Sequence, residues 1–349
     1  MNDIAQQPVL NFSTYPAIEG EDWRYAFASG QVRVLETLML SRSLLMEIVN
    51  AESFDAGVDM LNNTEYALPQ GERSSEQVEE MLTGRRHQLR NHFDKLMLDD
   101  RIIELFHARQ DFANLRLALR RKLTDKPIGN DYSHEGSVSI DDFIHAVDEE
   151  DYAFLPFYMR EAIEAGVMGY YKDRDIRGID FGIDHYQNEY SLRTAEEINS
   201  GFLLELFRMN ADLTNLKTML RVKFTQLGSG FNSDMFLDGA YIHYDKLRHA
   251  VESAYDSIPV IFYTTPYHEI LERGIAYLVE NNSFVRFEQR CEQHILGYLN
   301  STIQITAGHQ PVVAYLIKKE NEIRRVRLIL TAKKNKLDNK LVQDRLEEV

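Results

Sequence analysis

Glu104 and His107 come nearest, by type and spacing, to a catalytic or metal-binding element: Glu-x-x-His sets a carboxylate and an imidazole on one helical face. Helical di-iron proteins use that element twice, with two further glutamates. Here it occurs once, and the corresponding position after Leu206-Phe207 is Arg208. A helical carboxylate metalloenzyme centred on Glu104 and His107 is therefore the alternative reading. Other chemistry has no carrier. No G-x-x-x-x-G-K-[ST] loop exists to cradle phosphates, and GSGF at 228–231 has neither the lysine nor an apolar strand before it. The 11 His residues form no H-E-x-x-H, and no G-x-S-x-G elbow is present. A single Cys291 excludes an intrachain disulfide and any Cys-based zinc or iron–sulfur centre. No catalytic residue, metal or cofactor is assigned.

What recurs instead is Asp, Asn and Lys in fixed order. LFHARQDFANLRLALRRKL at 105–123 aligns without gaps on LFRMNADLTNLKTMLRVKF at 206–224, with eight of 19 positions identical, among them Asp111/Asp212, Asn114/Asn215, Arg120/Arg221 and Lys122/Lys223. A third copy, LIKKENEIRRVRLILTAKK at 316–334, keeps Leu316, Leu330 and Lys333 and has Glu322 for the aspartate. On a helix, Asp111, Leu115, Leu119 and Lys122 share a stripe about 80° wide, with Asn114 to one side. That stripe faces the core, where a carboxylate and an amide must find donors. Asp111, Asn114, Asp212, Asn215 and Glu322 are accordingly expected to cap or bridge neighbouring helices, each belonging to its own module and too far from the others to build one shared metal or proton-transfer centre. The opposite face is basic. Arg116, Lys217 and Arg327 stand five residues beyond each acid, and Arg120 and Arg221 nine beyond, where the third copy has Thr331. These five are candidates for gripping an acidic or polar shaft; the plainer reading is a solvated face paired with nearby carboxylates.

The elements that carry these residues are helical. Apolar residues recur three or four apart in 30–49, 75–97, 154–171 and 265–282. SIPVIFYT at 257–264 reads as a strand or, because Pro259 lies inside it, as a buried link between helices. Trp23, Tyr25 and Phe27 are expected to anchor the first helix. Correspondence between copies extends upstream: Val78-Glu79 and Ile179-Asp180 each stand 32 residues before their motif aspartate, and Phe287-Glu288 stands 34 before Glu322. Spacings of 101 and 110 residues between copies are too long for a solenoid unit and match a small domain. An all-α fold of three related modules is predicted, with an N-terminal tail at 1–21 and modules at 22–123, 124–227 and 228–349. Stretches rich in Gly, Ser, Asn and Asp mark both joints.

The whole chain has 349 residues and a formal charge of −16, near the composition of soluble globular proteins otherwise. Such acidity argues against nucleic-acid partners and against adsorption to anionic lipid. The first 20 residues lack the charged start and apolar stretch of a signal peptide, which points to the cytoplasm. His294 to Ile317 carries no Asp, Glu, Lys or Arg, yet Gly308 and Pro311 would leave backbone groups unpaired in lipid. It is read as a buried helix, a turn and the start of a second helix.

At these residues the chain resembles a known family, the C subunits of archaeal and bacterial A/V-type ATPases, related to the d subunit of the eukaryotic vacuolar enzyme. The resemblance is carried by Tyr25-Ala-Phe-Ala-Ser-Gly-Gln-Val-Arg33 with Leu35-Glu36, by Asn63-Thr64-Glu65-Tyr66, by the Asp-x-x-Asn-Leu-x-x-x-Leu-Arg-x-Lys helices at Asp111 and Asp212, and by Lys319-Glu-Asn-Glu-Ile-Arg324. It runs from about 22 to 337. Arg325 departs from it, standing where the family often has Asn. The resemblance implies three modules about a pseudo-threefold axis, forming a funnel between the central-stalk shaft and the membrane proteolipid ring. It further implies a non-catalytic coupler for proton or sodium transport, peripheral to the membrane through its complex. A generic helical docking scaffold is the remaining alternative.

Overall fold

The computed structural model describes residues 10, 14–18, 20–68, 73–124, 126–127, 131–225 and 233–346. The joint at 227/228, GSGF at 228–231 and Pro8 of the tail lie outside them. Every regular element among the described residues is helical, so the fold is all-α. In chain order the helices are α1 (Ala26–Glu36), α2 (Arg42–Asn50), α3 (Phe54–Asp59), α4 (Ser75–Leu96), α5 (Asp100–Leu123), α6 (Ile140–Glu149), α7 (Phe157–Asp173) and α8 (Arg177–Glu197). They continue with α9 (Gly201–Phe224), α10 (Tyr244–Glu252), α11 (Ile258–Ile261), α12 (His268–Asn281), α13 (Val285–Asn300), α14 (His309–Lys334) and α15 (Asn339–Leu346). No helix among these residues is long and apolar enough to cross a membrane.

Helix starts follow from local chemistry. Ser41, Ser139 and Ser200 accept a backbone N–H of the first turn of α2, α6 and α9, and Ser74 with Gln77 closes a capping box on α4. Pro259 occupies the first turn of α11, where its missing N–H breaks no bond, so 257–264 is a helical link and not a strand. The charge-poor run from His294 divides into α13, a 3-10 turn at Ser301–Gln304 and α14. Of the three aromatics expected to anchor the first helix only Tyr25 is buried; Trp23 and Phe27 are 64% and 76% exposed. The spacing of four that puts those two on one face turns them both outward.

Packing divides the chain into two compact units. One comprises Met1–Ala17 and Asp99–His268; the other comprises Ile18–Leu98 and Glu269–Val349, so the ends of a long stretch of sequence meet in it. In the first unit α5 and α9 pack on α8, while α7 and α8 form a close antiparallel hairpin turned by Arg174 at φ 54°. Gly169 and Gly178 face each other across it, and a Cβ on either would run into the other's carbonyl. In the second unit α14 is the central helix, with α1, α2, α3 and α4 laid against it.

Candidate functional site

Two residues eleven apart on a helix are three turns and about 16 Å apart and share a face. The motif acid and the motif lysine have that spacing. A nine- or ten-residue helix is about 14 Å long, and such a helix runs beside each motif helix in the same direction: α6 beside α5, α10 beside α9, and α2 beside α14. The acid meets the chain just ahead of the short helix, and the lysine meets its last carbonyls.

On α5, Asp111 accepts the Ser137 backbone N–H at 3.1 Å, and Lys122 Nζ donates to the Val147 carbonyl at 2.6 Å. On α9, Asp212 accepts the Ile242 N–H at 2.8 Å, and Lys223 donates to the carbonyls of Val251, at 3.0 Å, and Ser253. On α14, Glu322 accepts the Leu40 N–H at 2.6 Å, and Lys333 donates to the Ala51 carbonyl at 2.7 Å. An acid thus sits at the N-terminus of each short helix and a lysine at its C-terminus, the arrangement that the helix dipole favours when the acid is ionised. Asn114 brackets Ser133, taking its N–H at 2.8 Å and donating to its carbonyl at 2.9 Å. Asn215 does the same to Leu237 at 2.7 and 2.9 Å. The third copy has Arg325 at that position.

A tyrosine closes each grip. Tyr158 donates to Asp111 at 2.6 Å, Tyr267 to Asp212 at 2.7 Å and Tyr66 to Glu322 at 2.6 Å. Burial first, and then the carboxylate alongside, push all three phenols well up, so they stay protonated and keep donating. Lys319 adds a cation to Glu322 at 2.6 Å. Asp212 has none among the described residues; burial raises it to about 7 against the pull of the Tyr267 hydroxyl and the Ile242 and Tyr241 amides.

The basic positions lie elsewhere on the same helices. Arg116 pairs with Asp184 and, at 3.7 Å, with Asp180; Arg120 pairs with Asp180, both on α8. Arg327 holds Glu79 of α4 at 2.9 Å. Lys217 is half-buried and Arg221 exposed on α9. Glu79 and Asp180 are the acids that stand 32 residues before Asp111 and Asp212, so the upstream part of the repeat supplies ion-pair partners. Glu104 is exposed, with the Tyr190 hydroxyl at 3.5 Å, and His107 is half-buried. Among the described residues no group of three or more His, Cys, Asp or Glu side chains is placed to hold a metal ion.

Sequence reasoning about one helix misses the tyrosines, because Tyr158 and Tyr267 follow their acids by 47 and 55 residues and Tyr66 precedes Glu322 by 256. A local signal exists in two of them. Thr64 and Thr265 each accept the N–H of a tyrosine two residues on, at 3.1 and 3.3 Å, and Tyr66 and Tyr267 end those matching turns.

A long helix that grips a short one at both ends, made three times in one all-α chain, defines a class: a helical protein built from an internal repeat whose matching residues hold structure together. Residues 28–345 match the model of the ATP synthase (C/AC39) subunit family, and the chain belongs to that family. It is 23% identical over 319 residues to the C subunit of the V-type sodium ATPase of Enterococcus hirae, covering 91% of this chain and 96% of that protein. It is 25% identical over 202 residues to the C subunit of the A-type ATP synthase of Methanobrevibacter smithii, covering 56% of this chain and 50% of that one.

Proposed function

We propose that this protein is the non-catalytic coupler of a rotary V/A-type ATPase, joining the central-stalk shaft to the membrane proteolipid ring. The observation that carries the reading is the family match over 28–345. The repeated grip supports it. A part that transmits torque needs helices whose ends cannot swing, and an acid, a tyrosine and a lysine fix both ends of α2, α6 and α10. The division into modules at 22–123, 124–227 and 228–349, their funnel-like pseudo-threefold arrangement, and a cytoplasmic place peripheral to the membrane belong to the same proposal.

Purified chain should bind isolated shaft subunits or a detergent-solubilised ring. A folded sample that binds neither defeats the assignment. Arg116, Arg120, Lys217, Arg221 and Arg327 are the proposed shaft contacts, and their ion pairs decide how to test them. Reversal at Arg116 would set a glutamate against Asp180 and Asp184, which weakens folding as well as docking. Lys217→Glu is the cleaner variant, since Lys217 has no ion pair among the described residues. It should weaken shaft binding, with the loss greatest at low salt; unchanged affinity removes Lys217 from the interface.

A further inference from the structure

Asp212 differs from the other two motif acids in its company. Glu205 lies seven residues back on the same face of α9, 5% exposed, while Asp212 itself has no exposed surface. Arg208 reaches Glu205 at 3.4 Å, bridges to Glu196 of α8 at 3.7 Å and covers the Tyr241 ring. Its charge is shared on the Glu205 side, and Asp212 is left with neutral donors. Two phenols from separate stretches of chain donate to these carboxylates, and a third joins them. Tyr267 donates to Asp212 and Tyr241 to Glu205. Tyr15, from the N-terminal segment, is hydrogen-bonded to the Tyr267 side chain, and its ring lies 6.3 Å from that of Tyr241.

We propose that the segment carrying Tyr15 is a proton-gated strap, which lies on α9 while Asp212 is protonated and loosens when Asp212 gives up its proton beside Glu205. Closing an aromatic against the two tyrosines that hold these carboxylates takes water from the cluster, and loss of water favours the uncharged form. A conformation that holds a proton more tightly is favoured by acid. Burial and the Glu205 charge raise Asp212 to about 7, the direction this coupling requires. The sign is fixed: the strap is tightest where Asp212 is protonated whether covered or not, loosens as pH climbs, and weakens no further above about 7. This device does not depend on the coupling role.

The test is hydrogen–deuterium exchange of the full chain at about pH 5 and about pH 8, corrected for the intrinsic pH dependence and read in peptides spanning Thr14–Ile18. One pKa unit of coupling gives about tenfold more protection at the lower pH. Asp212→Asn should hold the segment at the low-pH level of protection throughout, and Glu205→Gln should move the midpoint to lower pH. Equal protection of the unmodified chain at both pH values overturns the proposal, as does a pH dependence that survives Asp212→Asn. If near-ultraviolet circular dichroism shows that Asp212→Asn does not fold, Glu205→Gln decides, and a midpoint that stays in place overturns it.

Discussion

At the scale of single residues, the three grips make different demands on the same hydrogen bond. Tyr158→Phe keeps the ring among Phe112 and Tyr190 but leaves the buried Asp111 with its backbone donor alone. The expected loss is about 1–3 kcal/mol of stability by urea denaturation; a loss below about 0.5 kcal/mol would show that Asp111 does not need the phenol. Asp212 gives a pH dependence instead. Its pKa is raised from 3.8 to about 7 in the folded chain, so its contribution is full below the ordinary carboxylate range and is lost progressively as pH rises to neutrality. The loss is at most about 4 kcal/mol. Asp212→Asn removes that slope, and the difference between variant and unmodified protein in thermal unfolding across pH 5–8 measures it free of the other carboxylates, such as Asp22 and Asp234, that their partners hold below their usual range.

At the scale of elements, Lys122, Lys223 and Lys333 each finish a helix they do not belong to. Lys223→Met should keep most of the buried stem and lose the contacts to Val251 and Ser253, fraying the last turn of α10 and costing about 1–3 kcal/mol, with faster amide exchange in 249–253 as the local sign. The α7–α8 hairpin makes the opposite demand, for absence of a side chain. Gly178→Ala gains helix propensity of about 1 kcal/mol, but its methyl meets the Gly169 carbonyl. Separation of the helices should prevail with a net loss of about 1–3 kcal/mol, and a variant as stable as the parent would show the hairpin to be less tightly closed. Much of this was legible in the sequence and some was not. The spacing of Asp111, Leu115, Leu119 and Lys122, with Asn114 to one side, announces one helical face and a need for partners. Which backbone groups those side chains hold was not readable, because amides such as Leu40 and Ser137 carry no type, only position. The aromatic pair Trp23 and Phe27 looks the same in sequence whether it points inward or outward; the burial of Tyr25, Ala28 and Val32 fixes the phase of α1.

At the scale of the whole molecule, each motif helix holds a short helix that follows it across a proposed module joint, except the last, which holds one from near the start. α5 grips α6 beyond 123/124, α9 grips α10 beyond 227/228, and α14 grips α2. A fragment cut at those joints therefore loses its grip or the helix gripped. Deleting residues beyond Ile317 should accelerate amide exchange in 40–66, which loses Glu322 and Lys333, far more than in 131–158, whose acid and lysine on α5 remain. Equal acceleration in both would show that the grips do not act segment by segment.

The bond from Leu40 to Glu322 spans 282 residues. At a ribosome's pace of about 5–20 residues per second, roughly 15 to 60 s pass between synthesis of the first partner and the second. Until Glu322 has been made, the stretch around Leu40 waits for its anchor. A product that stops short of Glu322 therefore leaves Leu40 unanchored, open to any chaperone or protease that inspects nascent chains.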